Sequence, residues 1–204
     1  MVNIHKPLRS SLNKIVNSNT DATTPFELLQ LEYAINVQKR YVYLEQCIDL
    51  TTPTIIYERI NAVAQISKDE VTPITLLINN YGGSVHGMFG LYDLLQTLPM
   101  KINTLGTGAV MSAAVLILVG VNGTRKITPN TSVMVHQVST WLSGNVTDII
   151  TETAQTTFLQ DRLFVLLEKH TKKDIKFWKR SCKSNNLYLT AEKCMEYGLI
   201  DEIG

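Results

Sequence analysis

From Tyr41 onward the apolar positions of this chain switch repeatedly between two periods. Tyr41–Leu44 (YVYL) is a short run of β-forming residues, and Ile74–Ile78 (ITLLI) is a continuous apolar run with the length of a buried strand. Between them Ile55, Ile56, Ile60, Val63, Ala64 and Ile66 recur at helical spacing, which predicts a helix over Thr54–Ile66. Gly87–Leu98 predicts a second helix, stopped by Pro99 because the residue before a proline disfavours helical backbone. Ile102–Leu105 reads as a strand, Ser112–Val119 as a short helix so apolar that it must be buried, and Ser132–His136 (SVMVH) as another strand. Val146–His170 is long and periodic, with Ile149, Ile150, Phe158, Leu159, Leu163, Phe164, Leu166 and Leu167 marking one face. Thr190 caps a last short helix, Gly198 ends it, and Leu199–Ile203 is a closing strand. Strands and helices alternating in this way pack as a layered α/β fold.

Residues 1–24 stand outside the alternation. They are rich in Ser, Asn and Thr and poor in aromatics, which predicts a flexible arm or processed segment preceding one domain over 25–204. With 204 residues and 45% apolar content, that domain can bury a core of its own. Nineteen basic against eighteen acidic residues, net charge +1, leave no basic stripe for nucleic acid. The longest apolar run, Ala113–Val119, is too short to span a bilayer, and residues 1–20 lack the apolar stretch of a signal peptide. Cys47, Cys182 and Cys194 are scattered, form no C-x-x-C pair and read as packing residues of a reducing compartment. The expected location is the cytoplasm, or an organelle stroma or matrix, since Lys6, Arg9 and Lys14 precede the first acid, Asp21.

Three places carry candidate chemistry. Gly82-Gly83 follows the strand ITLLINN and precedes a helix, where backbone free of side chains can turn its N–H groups toward a ligand. Ser112 lies between a strand and a buried helix, where a hydroxyl can act as nucleophile if a base stands beside it. His136 ends the strand SVMVH, and imidazole can take a serine proton and return it near neutral pH. Of the other histidines, His5 is in the polar arm, His86 begins a helix and His170 closes the long one. Taken singly these features have ordinary explanations: turn punctuation, a helix cap and a structural histidine. Their order and spacing give them joint meaning.

That order resembles the Clp protease proteolytic subunits, the ClpP family, from Tyr41 to the C-terminus. The glycine pair, the Tyr-Asp helix and the Gly-x-x-x-Ser junction of that family match Gly82-Gly83, Tyr92-Asp93 and Gly108–Ser112. A Pro-Asn followed by Val-Met-x-His-Gln matches Pro129-Asn130 and Val133–Gln137. Thr147-Asp148 opens the long helix, and Thr190-Ala191-Glu192 with Glu196–Asp201 closes the match. The resemblance implies a ClpP/crotonase-like fold of repeated β-β-α units with a protruding handle helix over about 146–170. It implies a serine endopeptidase with Ser112 as nucleophile, His136 as general base, and the N–H groups of Gly83 and Ala113 as oxyanion hole. The stretch from His136 to Gly144 corresponds to the strand that pairs with substrate backbone. It further implies heptameric rings stacked into a double-ring barrel, unfolded polypeptides as substrates, and an AAA+ ATPase unfoldase as partner. ATP is then consumed by that partner, with no cofactor or metal in this chain.

The departures are specific. The third triad position, an aspartate in the family, falls on Asn186, or on Asn185 if a residue is inserted nearby. Tyr81 replaces a proline before the glycine pair, and Val138 a proline after His136-Gln137. Two tyrosines of the family's ATPase-docking pocket fall on Thr75 and Leu77, and the segment between Ser112 and Gly120 is one residue short. Asparagine brings no charge to steady an imidazolium, so the expectation is an active but impaired peptidase. The competing readings are a non-catalytic paralogue completing a mixed ring, a viral head-maturation protease, or a crotonase-like acyl-CoA enzyme. The last needs no serine–histidine pair.

Overall fold

The structure, a computed structural model, describes residues 32–69 and 71–204; the arm predicted over 1–24 lies outside the described residues. Strands β1 (Ile35–Asn36) and β2 (Tyr41–Leu44) lead into helix α1 (Thr52–Ser67), strand β3 (Ile74–Asn80) and helix α2 (Val85–Thr97). Strand β4 (Ile102–Met111) runs into helix α3 (Ala113–Val119), followed by β5 (Arg125–Ile127) and β6 (Ser132–Val135). Then come α4 (Val146–His170), α5 (Ile175–Ser181), β7 (Leu187–Leu189), α6 (Ala191–Tyr197) and β8 (Glu202–Ile203). The eight strands form one mixed sheet in the order β1-β2-β3-β4-β5-β8, with β6 beside β4 and β7 beside β6.

Alternation along the central strands explains the layering. Val42, Leu44, Ile74, Leu76, Ile78 and Ile102 are buried, while Tyr41, Tyr43, Thr75, Leu77, Asn103 and Leu105 between them are half-buried. One face of the sheet therefore lies in the core and the other is partly open. All seven residues of α3 are buried, as their composition predicts. Asp49 starts α1 by accepting from the Thr51 hydroxyl (2.7 Å) and from the N–H groups of Thr51 (2.8 Å) and Thr52 (2.9 Å), and these bonds, the Thr51 hydroxyl first, hold its carboxyl down at about 2.

The strand predicted over Ile102–Leu105 is ten residues long, because Gly106 and Gly108 lie within it instead of ending it. Its first half pairs with β5 through Thr104–Gly106, and its second half with β6 through Ala109–Met111. The change of partner takes place at Gly108, whose φ of 60° suits glycine. Asn79 stabilises the bend by accepting the Ala109 N–H at 3.2 Å, and a Cβ on Gly108 would lie 2.9 Å from that same Oδ1.

The long helix α4 matches its predicted span, but its apolar stripe has two environments. Leu159, Leu163, Phe164 and Leu167 are buried, whereas Ile149 and Ile150 remain exposed with Phe158. The N-terminal half of α4 therefore projects beyond the core. Thr190 caps α6 by accepting the Lys193 N–H, and Gly198 ends it at φ 75°, as expected. Helix α5 (IKFWKRS) and the short strands β1, β5 and β7 have no readable period and escape the sequence pattern.

Candidate functional site

Ser112 occupies a tight corner between β4 and α3, with φ 55° and ψ −124°. A side chain there costs about 1–3 kcal/mol of backbone strain, which its neighbours must hold in place. The Ser112 N–H donates to the Met134 carbonyl at 2.8 Å, continuing the β4–β6 pairing past the end of β4. Gly82, at φ 101°, gives the corner room: a Cβ there would lie 2.7 Å from Ser112 Cβ and 2.8 Å from the Met111 carbonyl oxygen. The Ser112 hydroxyl caps no helix. It lies instead 2.7 Å from His136 Nε2.

His136 follows directly on β6, and the register sets Met134 opposite Met111 on β4, so both strands leave the sheet at one edge. Burial pushes the imidazole below its ordinary value of 6.5, favouring the neutral ring that can accept a proton. Strand β7 runs antiparallel on the other side of β6, with Val135 opposite Leu187. The pairing ends there: His136 follows Val135, Asn186 precedes Leu187, and Asn185 is one residue further away in the chain. Both asparagines are exposed, and among the described residues no side chain hydrogen-bonds to His136 Nδ1.

The glycine pair forms the opposite wall. Gly83, at φ 147°, runs against Ile48, whose N–H donates to the Gly82 carbonyl (2.9 Å) and whose carbonyl accepts the Ser84 N–H (2.7 Å). A Cβ on Gly83 would lie 2.1 Å from the Ile48 carbonyl oxygen, so this contact admits only glycine. Ser84 caps α2 by accepting the Gly87 N–H. The N–H groups of Gly83 and Ala113 have no backbone acceptor among the described residues. Both residues border the cleft that holds Ser112 and His136, a cavity of about 160 Å³. Such unpaired donors at a cleft are suited to an oxygen that gains negative charge.

The cleft wall also has residues that read in the sequence only as core. Met88 of α2, Val115 and Leu116 of α3, and Leu163 and Leu167 of α4 line it, making one side apolar. No periodicity separates such a wall from the interior beside it. The remaining candidates lie elsewhere. His86 is the second residue of α2, and His170 pairs with Tyr92 Oη at 2.9 Å at the base of α4. Burial pushes the Cys182 and Cys194 thiols up to about 11 and about 12, consistent with packing. Cys47 is exposed, which corrects its reading as a packing residue: it lies in a loop after β2 beside Gly83. Thr75 and Leu77 lie on the half-buried face of β3, directly beside Tyr41 and Tyr43 of β2. Among the described residues no group of three His, Cys, Asp or Glu could hold a metal, and no helix is long and apolar enough to cross a membrane.

Comparison with known proteins agrees with this geometry. The chain is 28% identical to the ATP-dependent Clp protease proteolytic subunit 1 of Salinibacter ruber, over 97% of this chain and 82% of that protein. It is 30% identical to the ATP-dependent Clp protease proteolytic subunit of Bacteroides thetaiotaomicron, over 94% of this chain and 90% of that one. The match to the Clp protease family spans residues 29–204, starting twelve residues before Tyr41, where the resemblance read from the sequence begins. With the fold, the serine corner and the histidine beside it, this places the chain in the Clp protease family, a family of serine peptidases.

Proposed function

We propose that the chain is a proteolytic subunit of an ATP-dependent Clp protease that hydrolyses peptide bonds of unfolded polypeptides inside a ring-shaped chamber. The observation that carries this reading is the 2.7 Å approach of Ser112 Oγ to His136 Nε2. Ser112 Oγ attacks the scissile carbonyl carbon as its proton passes to Nε2. The oxyanion so formed is met by the N–H groups of Gly83 and Ala113. When the C–N bond breaks, His136 gives the proton to the leaving amine; it then takes a proton from the water that attacks the acyl-enzyme and passes it to Ser112 Oγ as the ester bond breaks. Met88, Leu116 and Leu163 offer an apolar surface to the side chain beside the scissile bond. These steps use neither metal nor cofactor, and ATP serves the unfoldase that feeds the chamber.

For Nε2 to accept a proton, the hydrogen of neutral His136 must sit on Nδ1, and Asn186, at the family's third triad position, is the residue assigned to orient it. Its amide oxygen can orient the ring but adds no charge, so the enzyme works below the rate an aspartate would allow. Heptameric rings joined through α4 form the chamber. The aromatic pair Tyr41 and Tyr43, next to Thr75 and Leu77, takes the place of the docking tyrosines on the face that meets the ATPase. Reaction with a serine-directed fluorophosphonate tests the chemistry. Wild type should label and hydrolyse a fluorogenic peptide, while Ser112→Ala should do neither and still assemble. Hydrolysis by Ser112→Ala at the wild-type rate would move the chemistry elsewhere.

A further inference from the structure

Residues 136–143, which follow β6, belong to no helix or strand. Past His136 they lack the ladder of hydrogen bonds that would fix their place beside the cleft. Gln137, Val138 and Ser139 nevertheless line the cleft, so their position decides how a substrate backbone can lie there. Val138 is half-buried, and it stands where the family carries a proline, a residue with no N–H. The replacement therefore adds a main-chain donor in a partly dry place, and such a donor is costly unless it finds an acceptor. It finds Gln160 of α4, whose Oε1 accepts the Val138 N–H at 3.2 Å. Gln160 sits between Leu159 and Leu163, both buried, so its own backbone is firmly held.

We infer that Gln160 is a positioning residue: by holding Val138 it fixes segment 137–139 against α4, at the depth where that segment can pair with the backbone of a bound polypeptide. The inference rests on the proposed peptidase function for its substrate role. Gln160 touches no reacting atom. Its contribution is to binding, which is shared by ground state and transition state, and so belongs in KM, not in kcat.

The test uses the assembled protein and a fluorogenic peptide. Gln160→Met keeps the shape and removes the acceptor, and should raise KM about 2- to 10-fold, the range for one neutral hydrogen bond, with kcat unchanged. Gln160→Glu keeps an acceptor and should stay near wild type. Val138→Pro removes the donor, so adding Gln160→Met to it should change nothing further. Hydrogen exchange reads the contact without catalysis: the Val138 amide should exchange faster in Gln160→Met and not in Gln160→Glu. Unchanged exchange in Gln160→Met, a fall in kcat at constant KM, or equal damage from Met and Glu would each overturn the inference. If wild type hydrolyses no peptide at all, the proposed function and the substrate role fall together, and exchange still decides whether the hydrogen bond holds the segment.

Discussion

Ser112 stands at the corner where β4 ends and α3 begins, outside both elements. Its backbone at φ 55° and ψ −124° lifts the hydroxyl out of both elements and toward His136. Burial holds His136 below 6.5, so the base stays neutral at neutral pH. Since the neutral ring is the active form, kcat/KM should be full above the His136 pKa and fall as the pH drops through it, with the acid limb below pH 6.5. Replacing Asn186 by aspartate places a negative charge beside the ring, which favours the imidazolium. Asn186→Asp should move the acid limb to higher pH and raise turnover, by up to the ~10⁴ known for the reverse change in another serine protease. The same change at Asn185, one register position away, should do much less. A pH–rate profile that is identical in wild type and both variants would remove Asn186 from the site.

The site depends on three element junctions, and each has a residue chosen for what it lacks. Gly82 lacks the Cβ that would collide with Ser112, Gly83 the Cβ that would meet Ile48, and Gly108 the Cβ that would press on Asn79. Gly83→Ala is therefore expected to destabilise by about 1–3 kcal/mol or more and to remove activity, because both the positive φ and the Ile48 contact resist a side chain. Gly90, inside α2, is the contrast. A Cβ there lies 3.1 Å from the end of the Pro53 ring, and helix propensity favours alanine by about 1 kcal/mol. Gly90→Ala should remain within about 1 kcal/mol of wild type and stay active. Thermal melts and peptide turnover on the two variants check the pair; equal melting temperatures would show that Gly83 is under no such constraint.

Beyond the core, one end of the molecule carries apolar surface that a lone subunit leaves in water. Trp141 is 94% exposed, Val146 74%, Ile150 65% and Phe158 53%, all on or next to the projecting half of α4. A patch of this kind marks an interaction surface. Its threonines also disfavour an isolated helix: Thr151, Thr153 and Thr157 bond back to carbonyls four residues before them. Packing against other subunits would offset both costs. Sedimentation should therefore show an assembly several times the 22.9 kDa chain. Ile150→Asp with Phe158→Asp should break it into smaller species with their helical content kept. A single 22.9 kDa species of wild type at micromolar concentration would contradict this reading.

Where a residue's environment follows from its own element, the chain could be read directly. The strand at ITLLI, the all-apolar run of α3, the Thr190 cap and the Gly198 stop each express a local rule and each is present, though ITLLI buries only alternate residues. The order of glycine pair, serine and histidine pointed to one family because motifs keep their spacing along a chain. Distances across the sheet are not local. Only pairing of β6 with β4 brings His136 to Ser112, and only pairing of β7 with β6 sets Leu187, next to Asn186, opposite Val135, next to His136. The bend that lets β4 change partners hides behind glycines that look like a loop, because a bulge is fixed by the neighbouring strand. The cleft wall formed by Met88, Leu116 and Leu163 is likewise a tertiary product, since an apolar side chain carries no mark of whether it will face the core or a substrate. Period and motif thus decided what each segment is, and packing between segments decided which groups meet.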